Sequence, residues 1–157
     1  MKNARFTRRD FLRKTTAAAP PILSPRQFRK VELPALKRAM AVAAECIGHP
    51  VPCIMGGNTF PILDDILSTG TNYLACNVET NQAAFVERVS RTHPLIKLRV
   101  NLDPGVVACR DPERIQRGID RVLEIVGGRA TCVMGTGAMP FETQLETIRL
   151  IREYISN

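Results

Sequence analysis

Short apolar runs alternate along this chain with amphipathic segments, and three of the runs end abruptly in a turn. These runs lie at 51–55, 96–100 and 131–134, and each is followed by Gly, Asn or Asp-Pro residues and then by a helical pattern. A buried strand, a special turn and an amphipathic helix make the βα unit of a parallel sheet. In such sheets the functional residues usually lie in the turns that follow the strands, so we look for them in these few loops.

The pattern predicts strands and helices in alternation. Ser24 is placed to cap the first helix with Pro25 in its first turn, and Pro34 should kink or split that helix because it removes a backbone donor. Thr59 and Asp111 are the expected caps of two later helices. The strands are predicted at 51–55, 73–76, 96–100 and 131–134, and the helices at 25–47, 60–69, 80–91, 112–126 and 142–155, with a short helical turn after 104.

Four βα units amount to half of an eight-stranded barrel. The predicted fold class is therefore α/β, a partial (β/α)8 TIM barrel of about four βα units with parallel strands. Nearly unbroken apolar strands, as at 51–55 and 131–134, indicate a sheet that is covered on both faces. A small doubly wound domain is the alternative, but Gly135-Thr136-Gly137 is not continued into the G-x-G-x-x-G fingerprint of such domains.

The charge of the chain is concentrated at its start. The 157 residues carry a net charge of +7, yet residues 1–30 hold nine of the 22 basic side chains and one of the 15 acidic ones. The remaining body is close to neutral and has no electrostatic footprint for a phosphate backbone, so we expect no nucleic-acid partner. No apolar run is long enough to span a bilayer.

The first residues resemble the twin-arginine export signal of bacteria, because Arg8 and Arg9 stand shortly before Phe11. The apolar stretch that should follow is short and interrupted by two prolines, so a basic tail without export function is the alternative. We divide the chain into a leader at 1–23, expected to be disordered, and a body at 24–157. Localisation stays open between the cytoplasm and export.

Cysteines and histidines give no sign of a reactive centre. The five cysteines are odd in number and lack C-x-x-C spacing, and Cys53, Cys76 and Cys132 fall in predicted strands, where a free thiol behaves as a small hydrophobe. We therefore expect no metal site. His49 and His93 each precede a proline at a strand entrance, the end opposite the expected active face, so no catalytic residue is identified.

Several longer motifs follow one another along the body. They are Ser24-Pro25-x-x-Phe28 with Leu33-Pro34, Gly57-Asn58-Thr59 with the segment 61–65, Asn101-Leu102-Asp103-Pro104, and Gly135-x-Gly137-x-x-Pro140. In order and spacing, these motifs resemble the C-terminal half of the uroporphyrinogen decarboxylase superfamily, which also includes corrinoid-dependent methyltransferases. The resemblance covers about 85% of the chain. It implies a (β/α)8 barrel whose active cleft lies at the carboxyl ends of the strands.

The chain departs from that family at functional positions. Decarboxylases of the family usually have a histidine facing the porphyrinogen where Thr136 stands here, and threonine cannot change charge near neutrality. The methyltransferase branch binds zinc at the positions of Ile54, Gly56 and Thr136, none of which is a zinc ligand. We also expect the family's N-terminal half, whose arginines and aspartate hold the substrate, to be missing through truncation or a misdrawn reading frame.

The resemblance implies a lyase of porphyrin metabolism that removes acetate-side-chain carboxylates from a tetrapyrrole without a cofactor. Because the groups for substrate binding and proton handling are missing, we expect a divergent or truncated protein that is inactive alone. A corrinoid-dependent methyltransferase-like protein is one alternative. A non-catalytic half-barrel completed by a second copy or another chain is the other. The expected ligand is a tetrapyrrole or another carboxylate-rich small molecule.

Five polar residues in the loops are candidates for substrate binding. Asn58 and Thr59 stand where a strand meets a helix and can hold an anion, although a tight turn and a helix cap explain them equally well. Asn101 and Asp103 follow the carboxyl end of another strand, and Asp103 before a proline can also serve as a cap. Thr136 is added because the resemblance puts it at the substrate-facing position of the last loop.

Overall fold

The computed structural model describes residues 24–156, and the leader predicted at 1–23 lies outside the described residues. These residues form a mixed α/β fold in which a parallel three-stranded sheet is connected by helices. A π-helical turn at Phe28–Glu32 and a 3-10 turn at Phe60–Ile62 complete it. The strands are β1 Tyr73–Cys76, β2 Lys97–Asn101 and β3 Cys132–Gly135, and the α-helices are α1 Pro25–Gln27, α2 Leu33–Ile47, α3 Leu63–Leu67, α4 Gln82–Thr92, α5 Pro104–Val107, α6 Pro112–Val126 and α7 Leu145–Ser156.

The sheet keeps its strands in chain order, β1–β2–β3, and both neighbouring pairs are parallel. The strands predicted at 73–76, 96–100 and 131–134 are thereby confirmed, each to within one residue. Parallel strands in unbroken chain order, joined by right-handed crossovers, keep their connecting helices on one face of the sheet. A doubly wound sheet reverses its strand order and places helices on both faces, so the observed order favours a barrel-type arrangement.

The strand predicted at 51–55 is wrong, because only Cys53 forms a bridge, a parallel one to β1. Pro52 has no N–H to give to a ladder. The carbonyl oxygen of Val51 accepts a hydrogen bond from the Thr71 hydroxyl at 2.9 Å rather than from a strand amide. The segment therefore runs beside β1 as an edge held largely by side chains.

The two faces of the sheet differ in burial. Leu74, Leu98 and Val100 are buried on the helix-covered face, whereas Ile54 is 61% exposed and Val133 53% exposed on the opposite side. The expectation that both faces are buried is wrong for the described part of the chain. We name the opposite side the open face, and its strand residues are Tyr73, Ala75, Lys97, Arg99, Asn101, Val133 and Gly135.

Helices α4 and α6 supply much of the core through residues spaced three or four apart. Phe85 and Val89 of α4 are buried, as are Ile115, Ile119 and Val122 of α6. Helix α6 begins and ends where the sequence predicts, at an aspartate cap and at a glycine with a positive φ of 57°. Within 24–156, no helix is long and apolar enough to cross a membrane.

The first predicted helix is split as expected from Pro34. Ser24 caps it, since its hydroxyl accepts from the backbone N–H of Gln27 at 3.2 Å. The helix then widens into the π-helical turn, in which the Leu33 N–H donates to the Phe28 carbonyl five residues back. A wider turn of this kind accommodates a proline, because Pro34 lacks the N–H that an α-helical ladder requires.

The helix predicted at 60–69 is shorter and broken. It consists of the 3-10 turn and α3, and the side chain of Thr59 makes no capping hydrogen bond to it, so the predicted Thr59 cap is wrong. Ile62, with φ −120°, interrupts the helical backbone between the two pieces. At the carboxyl end of α3, the Thr69 hydroxyl donates a hydrogen bond to the Ile66 carbonyl oxygen at 2.7 Å. Side-chain hydrogen bonds of this kind compete with the backbone ladder that would continue the helix.

Two aspartates of α3 make ion pairs with other helices. Asp64 accepts from Arg88 of α4 at 2.8 Å, and Asp65 accepts from Arg29 at 2.8 Å. The Asp65 side chain is only 18% exposed. The Arg29–Asp65 pair thus connects the first helical segment to the body of the fold.

Candidate functional site

Polar residues gather where the parallel strands end. Asn101 at the end of β2 lies opposite Gly135 at the end of β3. Asn77 directly follows β1 and lies beside Asn101. We call this edge of the sheet the carboxyl-terminal rim, formed by Asn77, Asn101 and the turn Gly135–Gly137. It is the place where parallel sheets of this class present functional side chains.

Two asparagines on the rim form a directed chain of hydrogen bonds, which we call the amide relay. The Asn77 side-chain amide donates to the Met55 carbonyl oxygen at 2.7 Å, and the Asn101 amide donates to Asn77 Oδ1 at 2.9 Å. Asn101 is only 4% exposed, and its Oδ1 has no hydrogen-bond partner among the described residues. A buried acceptor without a hydrogen-bond partner destabilises the fold, so a ligand that donates a hydrogen bond to Asn101 Oδ1 would relieve this cost.

Arg99 lies over the last turn of the rim because Gly135 has no side chain. A Cβ at position 135 would lie 2.6 Å from Arg99 Cδ and 3.0 Å from Asn101 Oδ1. The Nε of Arg99 is buried, and among the described residues it also lacks a hydrogen-bond partner. The rim thus combines a buried cationic donor with a buried neutral acceptor, and neither has a partner among the described residues.

A buried glutamine that sequence reasoning missed fixes the ends of two strands. The Gln82 side-chain amide donates to the Asn101 carbonyl oxygen at 2.8 Å and to that of Cys76 at 3.3 Å. Its Oε1 accepts from Arg121 of α6 at 2.8 Å. Carbonyl oxygens only accept and guanidinium groups only donate, so these partners fix the amide in one orientation. Gln82 therefore holds β1 and β2 in register beneath the rim.

Asn58 and Thr59 lie in the loop before the 3-10 turn. Asn58 is exposed, and its Oδ1 accepts from the Phe60 N–H at 3.2 Å, which makes a local turn. Thr59 is buried, and its N–H donates to the Thr80 hydroxyl at 3.3 Å. Their side chains thus have different surroundings, one facing solvent and the other facing the protein.

Asp103 and Thr136 complete the set of predicted site residues. Asp103 is exposed and caps α5, since its Oδ1 accepts from the Gly105 N–H at 2.6 Å. Thr136 is half-buried in the turn that faces Asn101, and its hydroxyl donates weakly to the Gly137 carbonyl at 3.4 Å. Of the five candidates, the structure brings Asn101 and the turn of Thr136 together at the rim.

The cysteines on the sheet are buried rather than reactive. Burial raises the pKa of the Cys76 thiol to about 12, and it also raises the pKa of the Cys53 and Cys132 thiols. A thiol with such a pKa carries almost no thiolate near neutrality. Across 24–156 no group of three or more His, Cys, Asp or Glu side chains is arranged to hold a metal ion.

A shallow cleft of about 410 Å³ lies at the opposite end of the open face. Its residues begin or precede the strands, so it is separate from the carboxyl-terminal rim. Leu95 there is 89% exposed. The cleft is lined by Pro52, Ile54, Asn72, Tyr73, Leu95 and Lys97.

Comparison with known proteins identifies the family of this chain. A family model described as uroporphyrinogen decarboxylase (URO-D) matches residues 14–157. No curated protein matches the chain. The matched segment covers most of the sequence and includes every element of the rim. The chain therefore belongs to the uroporphyrinogen decarboxylase family.

Proposed function

We propose that this protein is a divergent member of its family that binds a carboxylate-bearing tetrapyrrole at the carboxyl-terminal rim and is inactive as a decarboxylase on its own. The observation that carries the proposal is the cluster of Arg99 and Asn101 at the ends of parallel strands, with a buried donor and a buried acceptor that lack partners among the described residues. A guanidinium group is well suited to a carboxylate. The proposal also takes the three parallel strands as part of a (β/α)8 barrel.

The inactivity follows from the chemistry of decarboxylation. When the bond between the side-chain carbon and its carboxylate breaks, CO2 leaves and the remaining carbon must take a proton from an acid. Among the described residues of the rim, Asn77, Asn101 and Thr136 do not titrate near neutrality. Asp103 is exposed, and its carboxylate is engaged as the cap of α5. The rim thus offers binding groups without a suitably placed acid.

A titration of the full chain with uroporphyrin tests the proposal. We expect saturable binding, measured by porphyrin fluorescence, and an affinity about tenfold lower in Asn101→Leu, because the buried Asn101 Oδ1 is then lost as the acceptor for a pyrrole N–H. A cationic porphyrin of the same ring size should not compete. Incubation with reduced uroporphyrinogen under anaerobic conditions should yield no decarboxylated product.

The basic residues at the start of the chain require a control, because nine of the 22 Lys and Arg side chains lie within residues 1–30 and attract any polyanion. The Asn101→Leu variant keeps all of them, so a difference from the unmodified chain reports on the rim alone. Equal affinity of the two proteins would contradict the proposal.

A second candidate function is a non-catalytic half-barrel that another polypeptide segment completes. The exposure of Ile54, Leu95 and Val133 on the uncovered side of the sheet favours it, because apolar residues at strand positions are usually covered. Light scattering on the same sample decides whether a second copy is that segment. A folded monomer would count against a homo-oligomer. The corrinoid-dependent alternative gains no support, since Ile54, Gly56 and Thr136 cannot hold zinc.

A further inference from the structure

We propose that Arg99, Asn101 and Asn77 form a subsite for an anionic group that carries its own hydrogen-bond donor, an N–H or O–H, close to the charge. The inference deepens the proposed function and rests on it only in treating the rim as a ligand site. It adds a selection rule for the ligand. The site should prefer an anion with an adjacent donor over an anion that only accepts hydrogen bonds.

The rule follows from the direction of the amide relay. The Met55 carbonyl oxygen can only accept, so Asn77 must present its NH2 group to it, at 2.7 Å. Asn77 Oδ1 is then left to accept from the Asn101 NH2 group at 2.9 Å. Flipping the Asn101 amide would place two oxygens against each other. Asn101 Oδ1 is therefore the fixed terminal acceptor of the relay.

The surroundings keep this acceptor in place. Gly135 and Gly137 pack closely against Asn101, since a Cβ at 135 would lie 3.0 Å from Oδ1 and a Cβ at 137 would lie 3.3 Å from Nδ2. The side chain is 4% exposed, so bulk water reaches it poorly. A bare carboxylate oxygen placed against Oδ1 would meet a second acceptor, whereas an N–H or O–H group would satisfy it.

Arg99 supplies the complementary half of the subsite. It follows Lys97 by two residues on β2, so both side chains lie on the open face. The Arg99 aliphatic stem crosses the space above Gly135, which brings its buried Nε–H to the same corner as the Asn101 oxygen. An anion held by Arg99 therefore has its neighbouring atoms beside the relay.

Two small anions test the rule directly. Glycolate and acetate have the same charge, but only glycolate carries a hydroxyl donor next to its carboxylate. We expect glycolate to shift the Asn101 side-chain amide and Arg99 Nε–H signals in 1H–15N spectra of the full chain, with a Kd about tenfold lower than that of acetate. Equal Kd values for glycolate and acetate would overturn the proposal, because the Asn101 oxygen would then give no advantage to an anion that carries a hydroxyl donor.

Matched variants separate the two halves of the subsite. Arg99→Gln should weaken both anions, while Lys97→Gln removes the same charge from the same strand face and should leave both unchanged. If the two variants weaken binding equally, diffuse attraction rather than a subsite explains it, and the proposal fails.

Changes at Asn77 test the relay while leaving Asn101 itself intact. Asn77→Leu frees the Asn101 amide to rotate and should abolish the preference for glycolate. Persistence of the preference in Asn77→Leu would overturn the role of the relay. If uroporphyrin fails to bind while the glycolate preference holds, the proposed function falls and the subsite stands. If the chain binds glycolate and acetate equally but still binds uroporphyrin, the subsite falls and the proposed function stands.

Discussion

Replacing Phe85 with alanine is expected to lower the free energy of unfolding by about 3–5 kcal/mol. Phe85 projects from α4 into the hydrophobic core and is 1% exposed. Its removal takes away a large buried apolar surface and leaves a cavity that the surrounding helices and sheet can fill only in part. Since whole domains are stable by only about 5–15 kcal/mol, the variant should unfold at a much lower urea concentration.

Phe141→Ala is the matched control, because the same substitution is made at a side chain that is 100% exposed. We expect its free energy of unfolding to stay within about 0.5 kcal/mol of the unmodified chain. Urea unfolding followed by far-UV circular dichroism measures both variants. If Phe85→Ala were no less stable than Phe141→Ala, the packing of α4 on the sheet would be wrong.

Replacing Gln82 with leucine should cost about 1–3 kcal/mol of stability and should also disturb the rim. Leucine fills a similar volume but leaves the carbonyl oxygens of Cys76 and Asn101 without their donor, and Arg121 without its acceptor. Because these carbonyls end β1 and β2, amide hydrogen exchange should rise there more than in the helices.

Gln144→Leu provides the control for that experiment, since Gln144 is an exposed glutamine before α7. Its stability and its exchange pattern should stay close to those of the unmodified chain. Unchanged protection of β1 and β2 in Gln82→Leu would contradict the role of Gln82 as the connection between these strands.

Three strands are predicted well because each is a short segment with buried apolar residues, lying between residues that end regular structure. The failure at 51–55 has a physical cause that composition does not reveal. An apolar run becomes a strand only where a neighbouring strand supplies backbone hydrogen-bond partners. Here Pro52 has no N–H to donate, and the Val51 carbonyl oxygen accepts from the Thr71 hydroxyl instead of from a backbone N–H. Within this segment Cys53 is buried and Ile54 is exposed, because the Ile54 side chain lies on the open face.

The residues of the proposed binding rim are predicted only in part from the sequence. Asn101 is a candidate because it ends a strand, whereas Asn77 carries the same signal after β1 and was not among the candidates. Arg99 is not among the candidates because segment 96–100 is treated as an apolar run, although the polar residues Lys97, Arg99 and Asn101 alternate there with Leu98 and Val100. Such alternation indicates one polar face. The bonding of Gln82 depends on the register of β1 and β2, and periodicity cannot give that register.

The location of a bound tetrapyrrole tests the central claim most directly. We would add uroporphyrin to the full 15N-labelled chain and map the perturbed backbone and side-chain amides. We expect the changes to centre on the carboxyl-terminal rim, at Asn77, Asn101 and Gly135–Gly137. Perturbations confined to residues 1–23, or to the cleft around Leu95 and Lys97 at the other end of the sheet, would contradict it.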